Sequence, residues 1–294
     1  MNGIKKLGLG TVQWGINYGV ANQHGTPPPE TVTALLAQAR YYGIDVLDTA
    51  SLYGKSEAVL GMNPLEGFKV VTKTPRFTTA QISDIEANQL DATFRQSLDL
   101  LKCEKTYALL IHHADNLLAP GGDKLLAAMR HLREKGLVEK IGVSVYDSIQ
   151  VDALLKKFTP DLIQLPLNVM DQRMLASGHL EQLKNKGVEI HVRSVFMQGL
   201  LLMPLGNIPT FFEPIRPLLT RWHAAADSQG LTVNQAALAF VKNLPHVDTV
   251  LVGLENLEQF HSCISDFTID KKFDATGLAC NDPVFVNPSL WQLK

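Results

Sequence analysis

Charge is scarce in this chain of 294 residues: only 19% are charged, and 27 lysines and arginines against 29 acids leave a formal net charge of -2. Without a basic excess there is no electrostatic footprint for nucleic acid or an anionic membrane surface, so neither is an expected partner. No apolar run approaches the ~20 residues that a membrane-crossing helix needs. The start, MNGIKKLGLG, has two lysines but no apolar stretch or small-residue cleavage site, which predicts a cytoplasmic location. Cysteine is nearly missing. Cys103, Cys263 and Cys280 are odd in number, far apart and without a CxxC pair, so neither a disulfide framework nor a zinc site is expected. Low-complexity tracts are absent too. What the chain has is apolar bulk, 46% hydrophobic residues in a length able to bury most of them without staples.

That bulk is divided into short β-branched runs and longer helical patterns. The expected strands are KLGLG (6–10), IDVLD (44–48), KVVTK (69–73), TYALLIHH (106–113), LVEKIGV (137–143), DLIQL (161–165), VEIHVR (188–193) and TVLVG (249–253). Between them, residues 29–43 place Val32, Leu35, Leu36 and Ala39 on one helical stripe, and residues 82–101 open with Ser83 and Glu86 in capping-box spacing. Strict alternation of strand and helix implies parallel strands. Counting alone leaves two architectures, an open doubly wound sheet and a closed barrel. The polar residues decide between them. Asp48 ends the second strand, Lys73 the third and His112 the fourth; Ser144 follows the fifth and Gln164 lies late in the sixth. Catalytic groups at the C-terminal ends of several strands are the mark of a (β/α)8 TIM barrel, expected here as one domain over 1–294. The Pro-rich stretch 203–217 is the expected cover of the barrel mouth.

Period-2 alternation places Val46 with Asp48, Val71 with Lys73, and Ala108 and Leu110 with His112, so each polar group follows an apolar one on the inward face. His113 points the other way. Five residues after Asp48, in DTASLYGKSE, comes Tyr53. Singly these residues read as a helix cap, a turn, a solvated lysine and a structural histidine. Together, at the mouths of successive strands, they suit carbonyl reduction. Hydride addition leaves charge on oxygen, and a positioned acid must supply a proton. Tyrosine, with an ordinary pKa of ~10, is a reluctant donor near neutrality. An ammonium about 4 Å away favours phenolate by up to ~4 kcal/mol at an effective dielectric of ~20, so Lys73 is expected to lower the pKa of Tyr53. Asp48 would keep that lysine charged, and His112 would hydrogen-bond the carbonyl oxygen. The hydride must come from a cofactor.

The ordered set LGLGTVQWG, DTASLYGKSE, VVTK, LLIHHAD, IGVSVYD, IQLPLN, VRSVFMQGLLL and VLVGLENLEQF resembles the landmarks of the aldo-keto reductase family, most nearly its bacterial sugar and aldehyde reductases. The resemblance implies an NAD(P)-dependent oxidoreductase barrel, monomeric, acting on a small aldehyde, ketone or sugar, with Asp48, Tyr53, Lys73 and His112 as its tetrad. It also implies that Ser144 and Gln164 hold the nicotinamide carboxamide, and that Arg193 takes the place of a ring-stacking tyrosine. The asparagine that usually follows the serine is Val145 in this chain. After the eighth strand, Gly253, Glu255 and Asn256 open the segment where the family grips the cofactor's adenosine end. NADP(H) is the family expectation. Yet Gly253 through Asp270 contain no lysine or arginine and do contain Glu255 and Glu258, which suits a ribose hydroxyl better than a 2′-phosphate and opens NAD(H). Trp14 and His113 are candidate substrate contacts.

Three rival readings remain at this point. A regulatory barrel would bind nucleotide without turnover, and an NAD-dependent sugar dehydrogenase would use the same tetrad in reverse. A metal hydrolase built on His112-His113 would have to place its ion beside the Lys73 cation, so no metal is expected.

Overall fold

The computed structural model describes residues 4–20, 22 and 25–291. The ends of the span expected as one domain, residues 1–3 and 292–294, lie outside the described residues. Eight strands close into a barrel in sequence order: β1 (Leu7–Gly10), β2 (Val46–Asp48), β3 (Lys69–Lys73), β4 (Thr106–Ile111), β5 (Val138–Ser144), β6 (Leu162–Pro166), β7 (Glu189–Arg193) and β8 (Thr249–Gly253). Neighbours are parallel throughout, and β8 closes on β1 from Leu7–Val250 to Gly10–Gly253. This is the (β/α)8 barrel.

Strand alternation determines which side chains enter the barrel. Val46, Val71, Ala108, Leu110, Leu162 and Leu251 form an interior cluster of their own, separate from the larger core between strands and helices. Two residues further along the same faces stand Asp48, Lys73, His112, Gln164 and Gly253, so the inward polar residues collect at the C-terminal mouth. Gly8 is small because it must be: a Cβ there would stand 2.8 Å from Thr249 Cγ2 and 2.9 Å from Leu251 Cδ2.

The helices form where their signals lie. Pro29–Tyr42 starts on a proline and stops at Gly43, whose φ of 75° ends it in the left-handed region. Asp84–Leu101 carries the full capping box between Ser83 and Glu86. Alternation is less even than the sequence suggests. Only the five-residue helix Ser56–Leu60 separates β2 from β3, while two helices, Arg216–Ser228 and Val233–Lys242, lie between β7 and β8.

At the opposite, N-terminal end of the barrel, Glu189 organises a polar floor. Its Oε2 accepts from Tyr107 Oη at 2.7 Å and Lys140 Nζ at 2.6 Å, and its Oε1 pairs with His191 Nε2 at 2.7 Å. Burial pushes this carboxyl's pKa upward, but the bonds from His191, Lys140 and Tyr107 outweigh it and bring the pKa down to about 2.

The expected cover needs correction. Residues 203–217 form 3₁₀ turns at Leu205–Asn207 and Thr210–Ile215 that pack into the core through Ile208 and Phe212, both buried. The cavity wall is instead lined by residues of the preceding segment, among them Ser194, Phe196, Gln198 and Leu202. Prolines stiffen the outer stretch, but the apolar residues between them anchor it to the body of the protein.

Candidate active site

A cavity of about 640 Å3 opens at the barrel mouth, and its wall includes Asp48, Tyr53, His112, Ser144, Gln164 and Arg193. Lys73 lies beneath that wall, 1% exposed. Its Nζ donates to both Asp48 oxygens at 2.8 Å, to the Thr49 carbonyl at 2.8 Å and to Tyr53 Oη at 3.4 Å. The ammonium therefore bridges a carboxylate and the phenol of Tyr53, a residue of the cavity wall. His112 completes the set, its ring edge-on to Tyr53 with centroids 5.8 Å apart.

Backbone packing places Tyr53. Its N–H donates to the Ala50 carbonyl and its own carbonyl accepts from Ser56, both at 3.0 Å, in a tight turn. The turn lies directly on Gly15, where a Cβ would stand 1.7 Å from the Tyr53 carbonyl oxygen. Only a glycine lets the β1 and β2 loops meet so closely. Thr11, Thr49 and Ser56 join hydroxyls beneath the turn, at 2.7 and 3.1 Å.

The electrostatics correct one expectation. Tyr53 is not acidified: its pKa is raised, by burial first and then by Asp48, with Arg193 opposing. The reason is the bidentate ion pair. Asp48 compensates the Lys73 charge at 2.8 Å, so the field at the phenol is small and desolvation dominates. Burial also pulls the pKa of Lys73 down, with Asp48 opposing. His112 is drawn down to about 2, by burial first and then by Lys73, His113 and Arg193. The site thus holds a protonated phenol and a neutral imidazole, two hydrogen-bond donors suited to an oxygen that gains charge.

Gln164 sits across the barrel from Lys73 and shares the same carboxylate, its Nε2 donating to Asp48 Oδ1 at 2.7 Å. Its Oε1 is buried in the cavity wall and has no partner among the described residues. Gly253 makes room for the amide of Gln13, which a Cβ would meet at 2.3 Å. Arg193 lies with its guanidinium 4.4 Å above the Tyr146 ring, so the planar face expected to stack on a cofactor ring has found an aromatic partner within the protein. At the far end Glu255 joins the wall with Asn234, Gln259 and Ser262.

Three expected contacts lie elsewhere. Trp14 is a core residue, 1% exposed, whose indole N–H donates to the Leu254 carbonyl at 2.7 Å; that bond satisfies its polar atom and keeps the ring off the cavity wall. His113 stacks on the His112 ring with centroids 4.9 Å apart and is not part of the cavity wall. Asn256 caps the helix Leu257–Thr268 by accepting from the Gln259 N–H, and so supports the wall without forming it. The sequence reading in turn missed Tyr18, Tyr146 and Gln198, all on the wall. Tyr146 carried a usable signal, standing two residues beyond Ser144 on the same face. Tyr18 and Gln198 carried none, since their loops meet only through folding, where Val20 N–H donates to the Gln198 carbonyl at 3.0 Å.

A sequence model of the aldo/keto reductase family matches residues 6–276. No curated protein matches the sequence. Among solved structures, the holo form of aldo-keto reductase AKR11C1 from Bacillus halodurans superposes with a TM-score of 0.73 at 18% identity, over 93% of this chain and 89% of that one. A Pseudomonas aeruginosa protein assigned to the aldo-keto reductases superposes with a TM-score of 0.65 at 21% identity, over 89% of each chain. Likeness at such identities shows the barrel alone. The sequence match, spanning every strand of that barrel, carries the assignment: this chain belongs to the aldo/keto reductase family.

Proposed function

We propose that this protein is an NAD(P)H-dependent carbonyl reductase in which Tyr53 is the general acid. The observation that carries the reading is the Lys73 ammonium held between the Asp48 carboxylate at 2.8 Å and the Tyr53 hydroxyl at 3.4 Å, with Tyr53 on the cavity wall. A bound nicotinamide dinucleotide supplies the hydride. The residues fit such a cofactor. The orphaned, buried Oε1 of Gln164 is an acceptor for a carboxamide N–H, and the Ser144 hydroxyl lies beside it on the wall. Tyr53 passes its proton to the carbonyl oxygen, and Lys73, already hydrogen-bonded to the phenol oxygen, stabilises the phenolate left behind. The raised pKa of Tyr53 keeps the proton in place until charge develops on the substrate. Neutral His112 donates one N–H to the same oxygen and orients the carbonyl.

Tyr53→Phe tests the assignment. It should lower turnover of a small aldehyde by roughly 10²–10⁴ while leaving dinucleotide affinity nearly intact. Unchanged turnover would remove Tyr53 from the role.

The far end of the cavity favours NAD(H) over NADP(H). Glu255 is on the wall and the neighbouring residues Asn234, Gln259 and Ser262 are neutral. The amides that open the next helix are partly occupied, because Gln259 N–H is taken by Asn256 and Glu255 N–H by Gln259 Oε1. A 2′-phosphate bound there would meet a carboxylate, with no lysine or arginine among the described residues on that part of the wall. Calorimetric titration should give tighter binding for NADH than for NADPH; the reverse order would refute this assignment. NADH preference also suits oxidation of a sugar hydroxyl, since the acid of reduction is the base of oxidation.

A further inference from the structure

Arg193 is the one cationic side chain on the cavity wall among the described residues, and no carboxylate pairs with it there. It nevertheless acts electrostatically on the heart of the site, since its charge reaches Tyr53, Lys73 and His112. With Asp48 and Lys73 cancelling each other, the catalytic end of the cavity carries one uncompensated positive charge. A partly buried cation in that position is costly unless an anion joins it.

The guanidinium is also fixed in place. Tyr146 lies under its face at 4.4 Å, Nη2 donates to the Val145 carbonyl at 3.1 Å and Nη1 to Ser194 Oγ at 3.3 Å. Ser194 adopts a φ of 60°, a left-handed conformation unusual for a residue with a side chain. Such strain persists only where the surroundings impose it, and here it accompanies a hydroxyl bonded to the arginine. Those bonds leave Nε–H and one N–H on each η nitrogen with no partner among the described residues, a planar fork shaped for a carboxylate or phosphate.

We propose that Arg193 binds an anionic group of the substrate, so that the preferred substrate is a carbonyl compound bearing a carboxylate or phosphate. This deepens the reductase reading and rests on it. The same fork chemistry would accept the pyrophosphate of a dinucleotide, and the test separates the two sources.

The measurement is kcat/KM for two matched pairs, succinic semialdehyde against butanal and glyceraldehyde 3-phosphate against glyceraldehyde. The wild-type protein should favour at least one anionic member by about 10-fold or more, and that preference should weaken with added salt while turnover of the neutral partner does not. Arg193→Gln should erase most of the preference, read as a ratio so that any general loss of activity cancels, and Arg193→Lys should restore part of it. No wild-type preference, or a preference that survives in Arg193→Gln, overturns the proposal. So does an Arg193→Gln variant that loses NADH affinity but keeps the substrate ratio, which would assign the anion to the cofactor. If no aldehyde is turned over, the reductase reading fails on its own, and calorimetry with succinic semialdehyde decides the anion site. Binding that needs Arg193 supports it, and binding indifferent to Arg193 refutes it.

Discussion

Replacing Glu189 by glutamine keeps the shape of the barrel-floor side chain and removes its charge. The carboxyl is 18% exposed, so solvent screens it only in part. A carboxyl brought from 4.5 to about 2, at ~1.36 kcal/mol for each tenfold change in proton affinity, contributes about 3 kcal/mol at pH 7. The sign follows from which state binds the proton more tightly. The unfolded carboxyl protonates near 4.5 and the folded one near 2, so the contribution is complete above the first value and lost as pH falls toward the second. By pH 3 about 1.4 kcal/mol should remain. The interactions with Lys140, Tyr107 and His191 are the other ends of the same bonds and add nothing further. Urea unfolding of wild type and Glu189→Gln at pH 7, 4 and 3 measures the difference directly. A gap of about 3 kcal/mol that closes toward low pH fits the argument. A gap below about 1 kcal/mol at pH 7, or one that does not change with pH, would mean the floor network is no more than a solvated set of surface charges.

Other consequences concern the mouth. Gly15→Ala forces a Cβ to within 1.7 Å of the Tyr53 carbonyl and 2.4 Å of the Ser56 amide, so the tyrosine turn must lift; a loss of about 1–3 kcal/mol in urea unfolding, together with a fall in kcat, is expected. Wild-type stability and kcat in the variant would show the contact to be slack. Because the His112 imidazole titrates at about 2, it stays neutral at all working pH values, and kcat/KM should show no ionisation of this group between about pH 5 and 8. An acid limb in that range that vanishes in His112→Gln would overturn the neutral-donor role.

The barrel was legible because strand parity is a short-range rule. Val46 with Asp48, Val71 with Lys73 and Leu110 with His112 each fixed a depth and a direction within three residues, and the closure of eight such strands brought the polar ends together. What was not legible depends on distance or on compensation. Tyr18 meets Gln198 across the mouth from another part of the chain, and no local spacing reports that contact. Trp14 stands next to Gln13, which does reach the cavity, so a shift of one residue separates wall from core. Counting prolines over 203–217 suggested a projecting cover, but Ile208 and Phe212 between them are what the fold buries. The acidity of Tyr53 failed for another reason. A pairwise argument from Lys73 has the right sign, and Asp48 was expected beside that lysine, but the carboxylate 2.8 Å away also cancels the ammonium's pull on the phenol.

Asp48 is the group through which the two halves of the site communicate. One carboxylate accepts from Lys73 on β3 and from Gln164 on β6, and the two partners do different things. Lys73 reaches Tyr53, the proposed acid. Gln164, with its Nε2 committed to Asp48, has its amide plane set so that Oε1 is the atom left for the proposed carboxamide contact. Asp48→Asn should therefore damage both functions. The asparagine oxygen, in the place of Oδ1, can still accept from both Gln164 and Lys73, but the place of Oδ2 then holds an N–H2 group against the Lys73 ammonium, and both bonds lose the carboxylate charge that strengthens them. Breaking a buried pair in this way costs ~3–5 kcal/mol, so the variant should be less stable, lose turnover and bind NADH more weakly. Tyr53→Phe, by contrast, should lose turnover alone. Measuring NADH affinity and kcat for both variants separates the cases. If Asp48→Asn keeps wild-type NADH affinity while losing kcat, Gln164 does not depend on Asp48 for its orientation. The carboxylate then serves Lys73 alone.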